Sequence, residues 1–135
     1  MKNICKDLTV GIPFHSGSNP SQLVETLDSL LGQTLRAGCC HLIQNGDVSD
    51  ELLEVIDGYA NKYAEFEKIY VEKKGLAAAL NSSLSRCTTI YYARMDSDDI
   101  AMPQRFERQV NYLEAHGNVD ILGGWAKEFS TSEGI

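Results

Sequence analysis

Residues 88–99 have the sequence TTIYYARMDSDD, an apolar run that ends in three carboxylates within four positions. The β-branched and aromatic residues of this run are typical of a strand, which we predict over Thr88–Ala93. Carboxylates this close repel one another, so a fold tolerates them best where a cation or a set of donors neutralises them. The stretch therefore predicts a strand that leads directly into a candidate cation site.

The carboxylates after this strand can share one ion. Asp96 and Asp98 project to the same side of an extended turn, where both can face a hard divalent ion or its waters. Magnesium or manganese is the expected ion. The alternative is a solvated acidic loop in which Asp99 caps a helix that begins near Pro103. The position at the carboxyl end of a predicted central strand favours ligand or metal binding.

Strand-like and helix-like segments alternate along the whole chain. The predicted strands are Leu8–Pro13, Cys40–Ile43, Lys68–Val71, Thr88–Ala93 and Val119–Leu122. This order predicts an α/β fold with a largely parallel sheet covered by helices on both faces. Such sheets bind ligands beyond the carboxyl ends of their strands, near the point where the strand order reverses.

Four helices are predicted between these strands from caps and apolar spacing. The first begins at Pro20 behind an Asn19 cap and stops at Gly32; the second follows a Ser49 cap. The third opens at Gly75, and the fourth begins at Pro103. The residues expected to face the sheet are Leu23, Leu27, Leu30 and Leu31; Leu52, Ile56, Tyr59 and Tyr63; Leu76, Ala79, Leu80 and Leu84; and Phe106, Val110 and Leu113.

Composition limits the class of protein. The 135 residues carry 12 basic and 19 acidic side chains, a formal charge of −7, and 43% of them are hydrophobic. One globular domain, residues 1–135, is expected at this size. The acidic balance disfavours binding to nucleic acid. No signal peptide or membrane-spanning run is evident, so we expect a cytoplasmic protein.

The four cysteines do not form a disulfide or metal motif by spacing alone. No C-x-x-C pair is present, and Cys39, Cys40 and His41 lie in a predicted strand. Because neighbours in a strand point to opposite faces, these three residues are not expected to converge on one zinc ion. Reduced thiols are the favoured interpretation.

The chain resembles the amino-terminal, nucleotide-binding part of a family 2 glycosyltransferase with the GT-A fold. The most specific stretches are ARMDSDDIAMPQRF at residues 93–106 and VDILGGW at residues 119–125, and the likeness extends from Leu8 to about Phe129. The resemblance implies a Rossmann-like three-layer sandwich that stops after the fifth strand. It also leaves open peripheral association with the inner face of the cell membrane, and points to cell-envelope polysaccharide biosynthesis.

The resemblance assigns the nucleoside pocket to the ends of the first two strands. Pro13, Phe14 and His15 would line it, with Phe14 as an apolar face and His15 as a polar contact; a solvated loop histidine is the alternative. Asn45 holds the place of an Asp that contacts uracil in the family. It keeps a carbonyl acceptor without the charge, or forms only a turn with Gly46.

The resemblance assigns the phosphates and the metal to two further loops. Gly75 would permit close approach of the nucleotide, and Lys74 would meet phosphate or base, unless it is simply solvated. Arg94 would orient Asp96 or the base, the alternative being an ordinary ion pair. Asp96 would contact ribose or a metal-bound water, and Asp98 would coordinate the Mn²⁺ or Mg²⁺ that bridges the donor diphosphate.

The implied reaction is metal-dependent, inverting sugar transfer from a nucleotide-sugar, with a UDP-sugar favoured, to a saccharide or lipid-linked acceptor. No general base is identified; in this family it comes from a later part of the fold, and we expect it beyond residue 135, which would leave the chain inactive alone. The alternatives are a non-catalytic nucleotide-sugar-binding fragment and a nucleotidyltransferase. An exposed apolar patch where the later part would dock also suggests self-association.

Overall fold

A computed structural model describes residues 3–72 and 75–129 of the chain. Within these ranges four strands alternate with four helices, as the sequence pattern predicts for this part. The elements are β1 (Asn3–Phe14), α1 (Pro20–Leu31), β2 (Leu35–Asn45), α2 (Asp50–Lys62), β3 (Phe66–Val71), α3 (Leu76–Ser85), β4 (Tyr91–Arg94) and α4 (Arg105–Ala115). None of the helices in these ranges is both long and apolar enough to span a bilayer.

The four strands form one parallel sheet in the order β3-β2-β1-β4. The chain moves from β1 outward to β2 and β3, and then returns to place β4 on the other side of β1. The strand order therefore reverses between β1 and β4. In open parallel sheets this reversal opens a crevice at the carboxyl ends of the two strands, where ligands bind.

Helices cover both faces of the sheet, so the predicted three-layer arrangement is confirmed. The main core lies on the face covered by α1, α2 and α4, and its strand residues include Val10, Ile12, Cys40 and Leu42. On the other face α3 places Ala79 against Ile43 and Ile69 in a smaller cluster. Successive side chains along β1 and β2 point to opposite faces of the sheet, as the two-residue period of a strand requires.

Local capping fixes where the first two helices begin. Asn19 accepts hydrogen bonds at its Oδ1 from the backbone N–H groups of Ser21 (2.9 Å) and Gln22 (3.1 Å), and Pro20 occupies the first helical position. Ser49 accepts at its Oγ from the N–H of Leu52 at 3.2 Å. Both caps are those predicted from sequence, because a short polar side chain satisfies N–H groups that the first turn leaves free.

The predicted fifth strand is wrong: Val119–Leu122 forms no strand. The less exposed residues of this segment are Val119 and Leu122, three positions apart, while Ile121 is 91% exposed. A strand would bury alternate residues instead. In the part of the chain that the structure describes, the outer edge of β4 is therefore unpaired by a strand.

Two helix predictions also need correction. Leu76 and Leu84 of α3 are exposed, and the buried positions are Ala79 and Ser83. Small residues face the sheet because the helix lies close to it and Ser83 bonds to strand side chains. The last helix begins at Arg105 rather than at Pro103, because Gln33, two residues beyond the end of α1, bonds the N–H of Phe106 in the first turn of α4.

A glycine in β1 makes room for a row of hydrogen-bonded polar side chains beneath α3. The Oη of Tyr92 donates to the Oγ of Ser83 at 2.8 Å, and the Nδ1 of His41 lies 2.8 Å from the same oxygen. A Cβ at Gly11 would lie 1.8 Å from the Tyr92 hydroxyl oxygen and 3.1 Å from Ser83 Oγ. These distances leave no room for a methyl group at Gly11.

We expect Gly11→Ala to lower the free energy of unfolding by about 1–3 kcal/mol, the usual cost of overpacking a well-packed region. Urea unfolding monitored by circular dichroism measures the change. The control is Gly58→Ala in α2, where a Cβ would meet nothing within 4 Å; it should be neutral or stabilising by up to about 1 kcal/mol. Equal destabilisation by the two substitutions would contradict this account of Gly11.

Candidate functional site

The loops that follow β1 and β4 meet at the point where the strand order reverses. The N–H of Met95 donates to the carbonyl of Gly11 at 3.0 Å, which carries the pairing of the two strands past the end of β4. Beyond it, Ser18 Oγ and Ser97 Oγ lie 3.3 Å apart. The first loop is therefore joined directly to the acidic loop at the crevice.

Three carboxylates converge in the acidic loop. Oxygens of Asp96, Asp98 and Asp99 all lie within 4.8 Å of one another. A turn hydrogen bond from the N–H of Asp99 to the carbonyl of Asp96 (3.3 Å) folds the loop back on itself. Arg94 supplies partial compensation, since its Nη2 donates to Asp96 Oδ1 at 3.3 Å. Both the expected orientation of Asp96 by Arg94 and the simple ion pair describe this contact.

The charge in this loop is only partly balanced. Burial raises the pKa of the Asp99 carboxyl above its ordinary value, and the neighbouring charges of Asp98 and Asp96 raise it further, while Arg105 opposes the change. Burial in turn lowers the pKa of the Arg105 guanidinium. The protein thus holds excess negative charge at the crevice, which is the condition under which a cation binds.

Helix α1 fixes the backbone of the acidic loop. The buried Thr26 hydroxyl lies 2.6 Å from the carbonyl oxygen of Asp99 and 3.0 Å from that of Ser97, and donates toward both. One turn later, Ser29 Oγ accepts from the N–H of Ala101 at 3.0 Å. Both hydroxyls belong to helix α1. They therefore hold the backbone of the acidic loop, and with it the three carboxylates, in place despite their repulsion.

A buried amide at the end of α1 explains where α4 begins. Gln33 donates from Nε2 to the carbonyl of Met102 at 2.7 Å and accepts at Oε1 from the N–H of Phe106 at 3.2 Å. It thereby satisfies an N–H of the first turn of α4, where Gln104 at the cap position provides no side-chain bond. The helix starts where Gln33 can reach it, two residues after Pro103.

Arg105 connects α4 to the end of β4. Its Nη2 donates to the carbonyl of Arg94 at 3.1 Å, its Nη1 lies 3.1 Å from the sulfur of Met95, and its Nε donates to Gln109 Oε1 at 3.2 Å. The guanidinium therefore holds the strand end against the helix. In this position its charge also faces Asp99.

His15 lies at the rim of the crevice in a defined orientation. It is exposed, and its Nδ1 accepts from the N–H of Gly17 at 2.9 Å. The His15 N–H donates to Ser18 Oγ at 3.0 Å, so the residue also frames the loop. Because Nδ1 is an acceptor here, the neutral ring carries its proton on Nε2 and can donate from that atom.

Pro13 and Phe14 lie at the end of β1 but not at the surface. Both are buried, and the Phe14 ring is 1% exposed within the main core. In this structure the ring is therefore placed to anchor the end of β1 and does not present an apolar face to the crevice. Sequence position alone could not distinguish these roles, since the residue ends a strand whose alternate side chains face the core.

Asn45 ends β2 and holds an acceptor that lacks a partner. Among the described residues, its Oδ1 is the buried side-chain oxygen for which no hydrogen-bond partner is present. The chain turns immediately afterwards, at Gly46, whose φ of 81° favours glycine. A buried acceptor left unpaired costs about 1–3 kcal/mol, so this atom marks a place where a ligand donor would be stabilising.

Gly75 stands at the start of α3, beyond the end of β3. Its φ of 99° lies in the region that side chains rarely adopt, while a Cβ would meet nothing within 4 Å. The glycine is therefore required by backbone conformation, and at the cap position it provides no side-chain hydrogen bond to the first turn of α3. Lys74, the other candidate in this loop, lies outside the described residues.

The donor set suits a hard divalent cation. Carboxylate oxygens are the ligands that Mg²⁺ and Mn²⁺ prefer, and Asp96, Asp98 and Asp99 place three of them close enough to share one ion. The structure thus places Asp99 beside the two predicted ligands. It also shows the residues that sequence reasoning missed, namely Ser18, Thr26, Ser29, Gln33 and Arg105, which hold the loop.

The chain is similar to a known protein family and to known glycosyltransferases. The family model described as Glycosyl transferase family 2 matches residues 9–134. The amylovoran biosynthesis glycosyltransferase AmsE of Erwinia amylovora is 39% identical over 121 residues, which cover 90% of this chain and 46% of AmsE. The UDP-Gal:alpha-D-GlcNAc-diphosphoundecaprenol beta-1,3-galactosyltransferase of Escherichia coli is 36% identical over 117 residues, covering 86% and 42% of the two chains.

Solved structures show the same fold at low sequence identity. The Staphylococcus aureus TarS 1-349 structure in complex with UDP-GlcNAc matches with a TM-score of 0.69 and 17% identity, covering 84% of this chain and 32% of TarS 1-349. The mannosyltransferase PcManGT of Pyrobaculum calidifontis, in complex with GDP-Man and Mn²⁺, matches with a TM-score of 0.64 and 20% identity, covering 79% and 32%.

The chain spans less than half the length of the curated relatives that it matches. Its predicted GT-A fold is confirmed by the structural likeness, and the match of the family model over most of the sequence agrees with it. The chain belongs to glycosyl transferase family 2.

Proposed function

We propose that residues 1–135 are a single, amino-terminal domain that binds a nucleotide-sugar donor for an inverting, metal-dependent glycosyltransferase. The observation that carries this proposal is the position of the acidic cluster. Asp96, Asp98 and Asp99 converge at the carboxyl end of β4, where the strand order reverses and the β1 loop meets the β4 loop. This is the place at which parallel α/β sheets bind nucleotides.

The sheet geometry supports one path for the donor across the crevice. Asn45 ends β2 and Asp96 follows β4, and these strands are separated by β1. At the usual spacing of neighbouring strands, the two strand ends are about 10 Å apart. A nucleoside diphosphate spans such a distance with its base at β2 and its phosphates at the acidic loop.

The unpartnered oxygen of Asn45 supports placing the base there. An amide oxygen accepts a hydrogen bond from N3–H of uracil, whereas cytosine presents an acceptor at N3. Uridine is therefore the proposed base. Two of the similar proteins support this choice by name, since the E. coli enzyme is a UDP-Gal transferase and TarS was solved with UDP-GlcNAc, whereas PcManGT was solved with GDP-Man.

The acidic loop would hold the metal through Asp98 and Asp96, with Asp99 as a further oxygen donor. A bound Mn²⁺ or Mg²⁺ offsets the negative charge that builds on the leaving diphosphate. Arg94 orients Asp96 by its hydrogen bond. PcManGT, which shares the fold, was solved in complex with GDP-Man and Mn²⁺, and this supports a divalent ion here.

The remaining contacts are proposed for the phosphates and ribose. The Nε2–H of His15 can donate to an oxygen of the nucleotide-sugar, and the first turn of α3, which Gly75 does not cap with a side chain, suits an anion. Lys74 precedes this turn in sequence and is proposed to contact phosphate or base. Pro13 and Phe14 support the β1 end from the core.

We propose that the acceptor site and the general base belong to the part of family 2 enzymes that this chain does not match. The acceptor is proposed to be a saccharide or a lipid-linked saccharide, as the name of the E. coli relative suggests for that enzyme. Self-association through the outer edge of β4, where Ile90 and Ile121 are exposed, stays a prediction.

The first test concerns the metal. We expect UDP to bind more tightly with Mn²⁺ than in chelator, and Asp98→Ala to remove this difference, because a charge-assisted contact of about 1.5–3 kcal/mol is lost. Isothermal titration calorimetry should show UDP affinity in Mn²⁺ falling about ten- to a hundredfold. The control is Asp7→Ala, an exposed carboxylate in the amino-terminal half of β1. Equal affinity with and without metal in the unsubstituted chain would contradict the proposal.

The second test concerns Asn45. Asn45→Ala removes an acceptor without breaking a protein hydrogen bond, so we expect unchanged urea stability to within about 0.5 kcal/mol. UDP affinity should fall about tenfold, as expected for loss of about 1.4 kcal/mol. CDP affinity should not change, because cytosine offers no donor at N3. An equal loss for UDP and CDP would place the base elsewhere.

A further inference from the structure

A second group of metal-binding side chains lies on the α3 face of the sheet. It consists of Cys39 and His41 of β2 and Glu67 of β3, whose ligand atoms all lie within 4.8 Å of one another. It shares no residue with the acidic loop. The group is independent of the proposed function.

Strand pairing explains why the group forms. His41 is the register partner of Glu67, and Cys39 precedes His41 by two residues, so all three side chains emerge on one face. Cys40 points to the other face, into the main core, as the sequence argument required. The third side chain, Glu67, comes from the neighbouring strand β3, which spacing along one strand does not predict.

The distances fit one tetrahedral ion. Oε2 of Glu67 lies 3.9 Å from Cys39 Sγ and 3.7 Å from His41 Nε2. Zinc bonds of about 2.0–2.3 Å at tetrahedral angles place such atom pairs about 3.3–3.6 Å apart. The Glu67 oxygen therefore needs to approach each of the other two ligand atoms by only a few tenths of an ångström, and the Cys39 and His41 ligand atoms themselves lie within 4.8 Å of each other.

The histidine is held as metal ligands usually are. His41 is 2% exposed, and its Nδ1 lies 2.8 Å from Ser83 Oγ, which also accepts from Tyr92. With Nδ1–H donating to Ser83, the lone pair on Nε2 faces Glu67. A hydrogen bond at the other ring nitrogen is the arrangement that fixes and orients histidine ligands in metal sites.

The donor set selects the ion. Thiolate, imidazole and carboxylate together suit Zn²⁺, whereas Mg²⁺ and Mn²⁺ prefer oxygen ligands. One thiolate and one carboxylate balance the charge of the ion. The Glu67 side chain is 57% exposed, which leaves access for the ion and for a water as fourth ligand.

We propose that Cys39, His41 and Glu67 form a zinc site that ties β3 to β2. Binding transfers the Cys39 thiol proton to solvent and forms the zinc–sulfur bond, with no change in oxidation state. Because β3 is an edge strand with β2 as its neighbour, the ion stabilises that edge of the sheet. Through Ser83 it also stabilises the position of α3.

Cobalt(II) is the spectroscopic probe for this site. Titration of the metal-free chain with Co²⁺ should give a thiolate-to-cobalt charge-transfer band, which Zn²⁺ then abolishes by displacement. Cys39→Ser should eliminate the band and lower zinc affinity more than about 100-fold, beyond the loss typical of outer partners. The control is Cys5→Ser, a half-buried thiol outside the group, which should retain the band.

Two further variants avoid the buried histidine. Glu67→Gln should weaken zinc binding, and Ser83→Ala should weaken it about 10- to 100-fold through the orientation of His41. Zinc should raise the melting temperature of the unsubstituted chain and not that of Cys39→Ser. Absence of the charge-transfer band, or its persistence in Cys39→Ser, would overturn the proposal. UDP binding with Mn²⁺ should be unchanged in Cys39→Ser, so this test and that of the donor site fail separately.

Discussion

The repulsion among three carboxylates at the end of β4 is the constraint around which the crevice is built. Asp96, Asp98 and Asp99 are held within 4.8 Å of one another, and one arginine contacts them directly by a hydrogen bond. The loop keeps this conformation because Thr26 and Ser29 of α1 bond its backbone. The energy of folding α1 onto the sheet thus holds the carboxylates together despite their repulsion.

This arrangement couples the core to the site. The same helix that fills the main core with Leu23 and Leu27 also presents Thr26 to the acidic loop. At its end, Gln33 determines the start of α4, and α4 returns Arg105 to the end of β4. The geometry of the crevice therefore depends on the packing of elements that do not contact the donor in our proposal.

The sequence predicts much of this fold because its signals are local. Asn19 and Ser49 cap helices within three residues of themselves, and the apolar run before Asp96 indicates its strand. What sequence reasoning missed depends on partners far along the chain. Thr26 and Gln33 bond residues about 70 positions away, and nothing local distinguishes them from ordinary polar side chains.

The spacing of buried residues and the register of the strands explain the other features that the sequence did not predict. Val119–Leu122 has the composition of a strand but buries residues at the wrong spacing, so composition misled the prediction. The pairing of His41 with Glu67 depends on how β2 aligns with β3, which a single sequence does not specify.

The most direct test of the donor site is the paramagnetic effect of Mn²⁺ on the amide NMR signals of the chain in the presence of UDP. With substoichiometric Mn²⁺, the signals of His15–Ser18 and Met95–Asp99 should broaden first. Signals at the start of β1, about 35 Å from its end at the usual rise per residue, should stay sharp. Two results would contradict a metal-bridged donor at this crevice. One is broadening that begins at other residues, and the other is a broadening pattern that is identical with and without UDP.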